Sequence, residues 1–184
     1  MNLETLKQSL PDYARDLKIN LGNVLDVDQH ENLSGEQVWG TALSCAIASR
    51  NLSLIEAVEA AAGEVLSPDY LKAARAASAI MGMNNIYYRF LHLAGNDEYG
   101  KLPARLRMTV IGNPGIDKVD FELLSLAVSA INGCGMCIDS HEKVLAKAGV
   151  SARAIQDAVR IASVIHAVAV VLETDTSIEL PAAA

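Results

Sequence analysis

Apolar residues recur along most of the chain at intervals of three and four positions, the spacing of one face of an α-helix. Alternation of apolar and polar residues never persists over five positions, so no β-strand is predicted. The pattern indicates an all-α protein with about eight helices. Three of them follow one another over 118–131, over 134–147 and from 151 to about 173.

Polar and helix-capping residues divide the first part of the chain. A helix is predicted over 3–10, and Pro11 opens a second, short one because proline suits the first turn. The segment 22–33 is polar and is predicted to be a loop. Ser34 and Gln37 then form a capping-box signal, which predicts a helix that extends to residue 50.

Two more helices are predicted before the middle of the chain. Ser53 is expected to cap a helix that stops at Gly63. The next helix covers 70–93, and the glycine at position 82 predicts a break within it.

The chain also matches itself at an offset of 85 to 86 residues, which suggests an internal duplication. The predicted units are 36–93 and 118–175, with three helices each. A three-helix unit is too small to bury its own apolar face, so 1–184 is predicted to form one domain. The matches at an offset of 85 are Ala73, Arg75, Ala77, Ser78 and Ile80 with Ala158, Arg160, Ala162, Ser163 and Ile165, and at 86 they are Glu56, Val58, Ala60, Ala62 and Gly63 with Glu142, Val144, Ala146, Ala148 and Gly149.

Composition and charge narrow the possible functions. The 184 residues are 51% hydrophobic but only 4% aromatic, which favours closely packed helices over sheets. A formal charge of -7 offers no electrostatic attraction for nucleic acid. The start of the chain lacks the apolar core of a secretory signal, and no run approaches the roughly 18 uncharged apolar residues of a membrane span. We therefore expect a cytoplasmic protein with no nucleic-acid or membrane partner.

The chemically reactive residues are concentrated in the second unit. Cys134, Cys137 and His141 are spaced so that their side chains share one face of a helix. The preceding Asn132-Gly133 is a poor helix interior and a good helix start. It should put Cys134 in the first turn, where free backbone N–H groups and the helix dipole favour a thiolate.

Glu122 is the carboxylate that could serve this dithiol. It lies twelve residues before Cys134, a separation of about 18 Å in one straight helix. If the chain bends at Asn132-Gly133, the carboxylate can contact His141 and His141 can contact a cysteine sulfur. Glu122 would then orient the imidazole, His141 would act as the base and the cysteine as the nucleophile. The matching positions in the first unit are Gln37, Ser49, Leu52 and Ile55, which carry none of this chemistry.

A Cys-x-x-Cys pair in a cytosolic protein is typical of redox sites and of metal half-sites, and its spacing names no substrate. A structural zinc site needs four ligands, and the available set is Cys134, Cys137, His141 and Glu122. The third cysteine, at position 45, lies on the apolar face of its helix and is expected in the core. The histidine at position 30 is expected to be solvated.

Several segments together resemble one known family. Glu122, the Cys134-Gly-Met-Cys137 motif and Ser140-His141 resemble the signature of the AhpD-like alkylhydroperoxidases, within the carboxymuconolactone decarboxylase-like superfamily. The likeness extends over nearly the whole chain, through LPDYARDLKINL, EQVWGTALSCAIASRN, AIMGMNNIYYR and FELLSLAVSAINGC.

The resemblance implies an all-helical antioxidant enzyme, usually a homotrimer, that reduces organic hydroperoxides and regenerates the peroxiredoxin AhpC in the response to oxidative stress. No cofactor would be bound. Electrons would come from the dihydrolipoyl group of a 2-oxoacid dehydrogenase component, recharged by dihydrolipoamide dehydrogenase.

The resemblance also implies residue roles. Cys137 would form the sulfenic acid, Cys134 would donate a proton and close a redox disulfide with Cys137, and Glu122 and His141 would relay protons. Mycobacterial members have histidine where this chain has Met136, so a proton-transfer role of that position is not expected here. A lactone decarboxylase of the same superfamily is the other reading, although it does not need paired thiols.

Overall fold

The computed structural model describes residues 2–175, and this part of the chain is built from helices without a strand. The all-α prediction is confirmed. The longer helices are α1 (Leu3–Ser9), α2 (Arg15–Leu25), α3 (Gly35–Ser49), α4 (Leu52–Ala62), α5 (Pro68–Leu93), α8 (Lys118–Ile131), α9 (Gly135–Lys147) and α10 (Ala152–Thr174). Two single turns, α6 (Glu98–Lys101) and α7 (Thr109–Gly112), lie between α5 and α8, and short 3-10 turns cover Asp12–Ala14 and Val27–Gln29.

Helix α3 lies at the centre and packs against α4, α5, α8 and α10. Its small residues allow this, and the clearest case is Gly40, which faces the ring of Tyr70 on α5 and the side chain of Leu124 on α8. A Cβ at Gly40 would collide with the Tyr70 ring. The close approach of three helices therefore depends on a glycine at this position.

Capping side chains set the ends of the helices much as predicted. Ser34 and Gln37 form the predicted capping box of α3, and Ser67 caps α5. The prediction for α4 was wrong by two residues, because Asn51, and not Ser53, accepts the N–H of Leu54. Asparagine and serine are nearly equal as N-caps, so the sequence could not decide between them.

Two further predictions of element bounds were wrong. Gly82 does not break α5, because one exposed glycine costs less than the packing of 26 helical residues provides. The predicted loop 22–33 instead contains the end of α2 and a 3-10 turn. Leu21, Val24 and Leu25 give α2 a buried face, and that packing outweighs the polar residues between them.

His30 was expected to be solvated and is 7% exposed. Its Nε2 lies 2.9 Å from the carbonyl oxygen of Val24, and its Nδ1 lies 3.8 Å from a carboxylate oxygen of Asp157 on α10. The ring thus hydrogen-bonds to α2 and lies beside the last helix, where Nδ1 makes no hydrogen bond within residues 2–175. The partner is more than a hundred positions away, so local sequence could not predict it.

The three helices of each predicted unit occur in the same order, α3–α5 and α8–α10. Ala73 and Ala77 are buried, as are their counterparts Ala158 and Ala162. Ser78 is buried, whereas its counterpart is exposed. Whether the two units superpose by a twofold rotation stays a prediction.

Helix α10 is the one helix in the described residues that is long and apolar enough to cross a membrane. Half of its most apolar 18-residue stretch is buried inside the protein, and the helix packs against α2, α3 and α8. A buried core helix has the same length and composition as a span, so α10 gives only weak support for a membrane location.

Candidate redox site

A tight turn between α8 and α9 brings the reactive residues together. Asn132 ends α8 and Gly133 follows with φ +65°, a left-handed conformation that glycine adopts without strain. The N–H of Cys134 then donates to the carbonyl oxygen of Ser129 at 3.1 Å. The predicted bend at Asn132-Gly133 is present, and α9 folds back against α8.

A buried polar network holds this turn, and sequence reasoning missed it. Asn85 of α5 donates to the Ser129 hydroxyl at 2.8 Å and accepts from the amide of Asn132 at 2.9 Å. Arg89 donates to the carbonyl oxygen of Asn132, which is left free at the end of α8. The signal in the sequence was an Asn-Asn pair inside an otherwise apolar stretch of α5.

Cys134 and Cys137 are joined by a disulfide, with their Cα atoms 5.3 Å apart. Cys134 is the N-cap of α9 rather than a first-turn residue, because Gly133 delays the start of the helix by one position. Its Sγ accepts the N–H of Cys137 at 3.3 Å. When the pair is reduced, the positive end of the helix dipole favours a thiolate at the site.

Glu122 and His141 meet across the turn, as the sequence predicted. Oε2 of Glu122 lies 2.6 Å from Nδ1 of His141, and the side chains are 18% and 11% exposed. The carboxylate fixes the proton on Nδ1, so in the neutral ring Nε2 is the basic nitrogen. The expected hydrogen bond between His141 and a cysteine sulfur is absent within residues 2–175.

A cavity of about 360 Å³ adjoins the disulfide. Of the two cysteines, Cys137 lines it and Cys134 does not; their exposed fractions are 6% and 0%. The wall is mainly apolar, with a few polar groups. Its residues come from α5 (Met81, Asn84 and Tyr88), from α7 and the residue before it (Met108 and Ile111), from α8 (Glu122) and from α9 (Met136, Cys137, Ser140, His141 and Val144).

The matching positions of the first unit form no second site. Gln37, which matches Glu122, donates to Asp120 at 2.7 Å, and Ser49, which matches Cys134, contacts the ring of His166 at 3.2 Å. Both side chains are used in contacts between the two units.

Cys45 is buried in α3 and stays a free thiol, as expected of a core residue. Burial raises the pKa of its thiol far above the usual range, because a thiolate would be desolvated. Cys45 is therefore unsuited to redox chemistry.

No group of three or more His, Cys, Asp or Glu side chains within residues 2–175 is placed to hold a metal ion. The four residues of the zinc hypothesis are instead paired as a disulfide and as a carboxylate–imidazole contact. This arrangement is suited to dithiol chemistry.

Comparisons with known proteins point to one family. A model of the carboxymuconolactone decarboxylase family matches residues 97–174, which include the turn and the dithiol. The chain is 56% identical over 178 residues to an alkyl hydroperoxide reductase AhpD of Rhodospirillum centenum, covering 97% of this chain and 94% of that protein.

Two further relatives extend the likeness. An alkyl hydroperoxide reductase AhpD of Streptomyces coelicolor is 55% identical over 175 residues, with 95% of this chain and 97% of that protein covered. One from a Bradyrhizobium species is 53% identical over 184 residues, with 100% and 99% covered. The similarity thus extends well beyond the dithiol segment.

Proposed function

We propose that this chain, which belongs to the alkyl hydroperoxide reductase AhpD family, is an antioxidant enzyme that reduces organic hydroperoxides with its own dithiol. One observation carries the proposal. Cys137 lines a largely apolar cavity together with a hydrogen-bonded Glu122–His141 pair. Cys134, which does not line the cavity, is joined to Cys137 by the disulfide.

In the oxidative half of the reaction, the Cys137 thiolate attacks the terminal oxygen of the hydroperoxide. The O–O bond breaks, an S–O bond forms, and the alkoxide leaves with the electron pair and takes a proton to become an alcohol. Cys137 is then a sulfenic acid. The sulfur of Cys134 displaces its oxygen as water, with a proton from the Cys134 thiol, and the disulfide closes. Access to the cavity supports this order of the two cysteines.

Glu122 and His141 serve as the proton relay in this scheme. The carboxylate holds Nδ1, so Nε2 can take a proton from a cysteine thiol and return it to the departing alkoxide. Water or the substrate would bridge from Nε2 to sulfur. A 2.6 Å contact in a partly buried site holds the imidazole in one orientation.

The apolar wall supports an organic substrate. Met81, Met108, Ile111 and Val144 would contact the hydrocarbon part of the substrate. A hydroperoxide with a bulky carbon group would bury apolar surface there, and hydrogen peroxide would not.

The reductive half requires an external dithiol. We propose that a dihydrolipoyl group on a 2-oxoacid dehydrogenase component attacks the Cys134–Cys137 disulfide, and that dihydrolipoamide dehydrogenase recharges it. Attack through a mixed disulfide returns both cysteines to thiols and leaves the lipoyl group oxidised. The same dithiol would reduce an AhpC-type peroxiredoxin. Family resemblance supports these partners, a homotrimeric state and a cytoplasmic location.

A lactone decarboxylase is the second candidate, because the matching family model bears that activity in its name. The dithiol argues against it, since decarboxylation of a lactone transfers no electrons to or from sulfur. A decarboxylase would keep its activity after both thiols are blocked.

The test is peroxide consumption by the purified chain, with cumene hydroperoxide as substrate and dihydrolipoamide as reductant. We expect turnover that is abolished in Cys137→Ser and Cys134→Ser and kept in the matched variant Cys45→Ala. Turnover that survives either active-site substitution, or a wild-type protein whose dithiol is not oxidised by the hydroperoxide, would refute the proposal.

A further inference from the structure

Asn84 presents an unusual polar group inside the cavity. It lies on α5, three residues after Met81 and four before Tyr88, so all three side chains face the same side of the helix. Asn84 is 4% exposed, and its Oδ1 has no hydrogen-bond partner among residues 2–175. A buried amide oxygen without a partner is unfavourable, and most such groups in proteins are satisfied.

The neighbouring residue shows that α5 can satisfy a buried amide. Asn85 uses its nitrogen on Ser129 and its oxygen on Asn132 and so forms part of the wall behind the dithiol turn. Asn84 points about one-third of a turn away, into the cavity that Cys137 lines. Its side chain has the polarity of a binding group and lacks the contacts of a structural one.

We propose that Asn84 binds the head of the hydroperoxide, with Oδ1 accepting the O–H of the terminal oxygen. This inference rests on the proposed function. Only the terminal oxygen carries a hydrogen, so an acceptor at this place selects that oxygen and directs it to Cys137. The O–O bond then points away from the sulfur, and the alkoxide leaves toward His141 for its proton.

The placement of the helices supports this role. Helix α5 packs against α9, so Asn84 and Cys137 line one cavity from two adjacent helices. A peroxide between them can accept the attack of one residue while donating a hydrogen bond to the other. Dialkyl peroxides, which have no O–H, would lose this contact.

The experiment measures the two half-reactions separately. Asn84→Leu keeps the size of the side chain and removes its polar atoms. We expect oxidation of the reduced dithiol by cumene hydroperoxide to slow about 10- to 100-fold, the effect of one lost hydrogen bond to a reacting group. Reduction of the disulfide by dithiothreitol should change by less than about twofold, because no peroxide takes part.

The matched control is Asn85→Leu, which removes a structural amide one position away. This variant should be less stable and should slow both half-reactions, because the turn that holds the cysteines loses its support. Asn84→Ala serves as the second variant if Asn84→Leu does not fold, with the same expectation. Equal slowing of both half-reactions in the Asn84 variants, or no slowing of oxidation, overturns the inference while the proposed function stands. A wild-type dithiol that cumene hydroperoxide does not oxidise overturns both.

Discussion

Nδ1 of His141 lies 2.6 Å from Oε2 of Glu122, although the two residues sit on different helices and nineteen positions apart. The turn at Gly133 is what lets α9 return along α8 and close this distance. The carboxylate and the imidazole therefore act as one unit.

Removing either member of that unit should slow peroxide reduction with little effect on the fold. Glu122→Gln and His141→Gln are each expected to lower the turnover rate by about 10² to 10⁴, the range for general acid–base catalysis. The turnover rate of the double variant should be close to that of either single variant, because each single substitution already removes the function of the pair. Turnover is measured for the three variants as a function of pH, and additive losses would mean that the two residues act separately.

Met136 lies between the two cysteines and lines the cavity. Its side chain is 38% exposed at the cavity and cannot carry a proton at neutral pH. Met136→Leu preserves the volume and the apolar character, so the turnover rate should stay within about threefold of wild type. A collapse of activity in this variant would show that the thioether has a role beyond packing.

Cys45 should not react with a thiol-labelling reagent in the native reduced protein. Burial raises the pKa of its thiol, so almost none is thiolate at pH 8, and the site excludes the reagent as well. Mass spectrometry after brief treatment with iodoacetamide should find Cys137 modified first and Cys45 unmodified. In denaturant all three cysteines should react. Rapid native labelling of Cys45 would contradict its burial.

Gly40 and Gly82 form a matched pair for stability, as both lie inside long helices. Gly40→Ala should lower the free energy of unfolding by about 1 to 3 kcal/mol, because the new methyl group collides with the Tyr70 ring. Gly82→Ala should raise it by about 0.5 to 1 kcal/mol, since a Cβ there meets open space and alanine favours the helix. Urea denaturation checks both signs, and a stabilised Gly40→Ala would mean that α5 moves away at little cost.

The sequence predicted the helical class and the chemical residues because both depend on short-range patterns. Cys134, Cys137 and His141 lie within one helical face and its cap, and Glu122 was placed by the bend at Asn132-Gly133. Periodicity and capping signals together predicted helix bounds such as Lys118–Ile131.

The structural features that could not be predicted from the sequence depend on contacts between distant segments. The partner of His30 is on α10, and Asn85 reaches Asn132 from another helix. Gly82 looked like a break because its local cost is visible in the sequence, whereas the packing that offsets it is not. The cavity itself, with Asn84 on one wall, exists only once α5 and α9 are docked.

The division of the cavity between chain segments also has an evolutionary consequence. Both cysteines, the carboxylate and the imidazole lie in the continuous stretch 122–141, whereas Met81, Tyr88, Met108 and Ile111 come from segments before it. Substitutions in the earlier segments can reshape the space for the substrate's carbon skeleton while the electron-transferring stretch stays intact. Selection can thus retune which peroxides are accepted without having to rebuild the reaction.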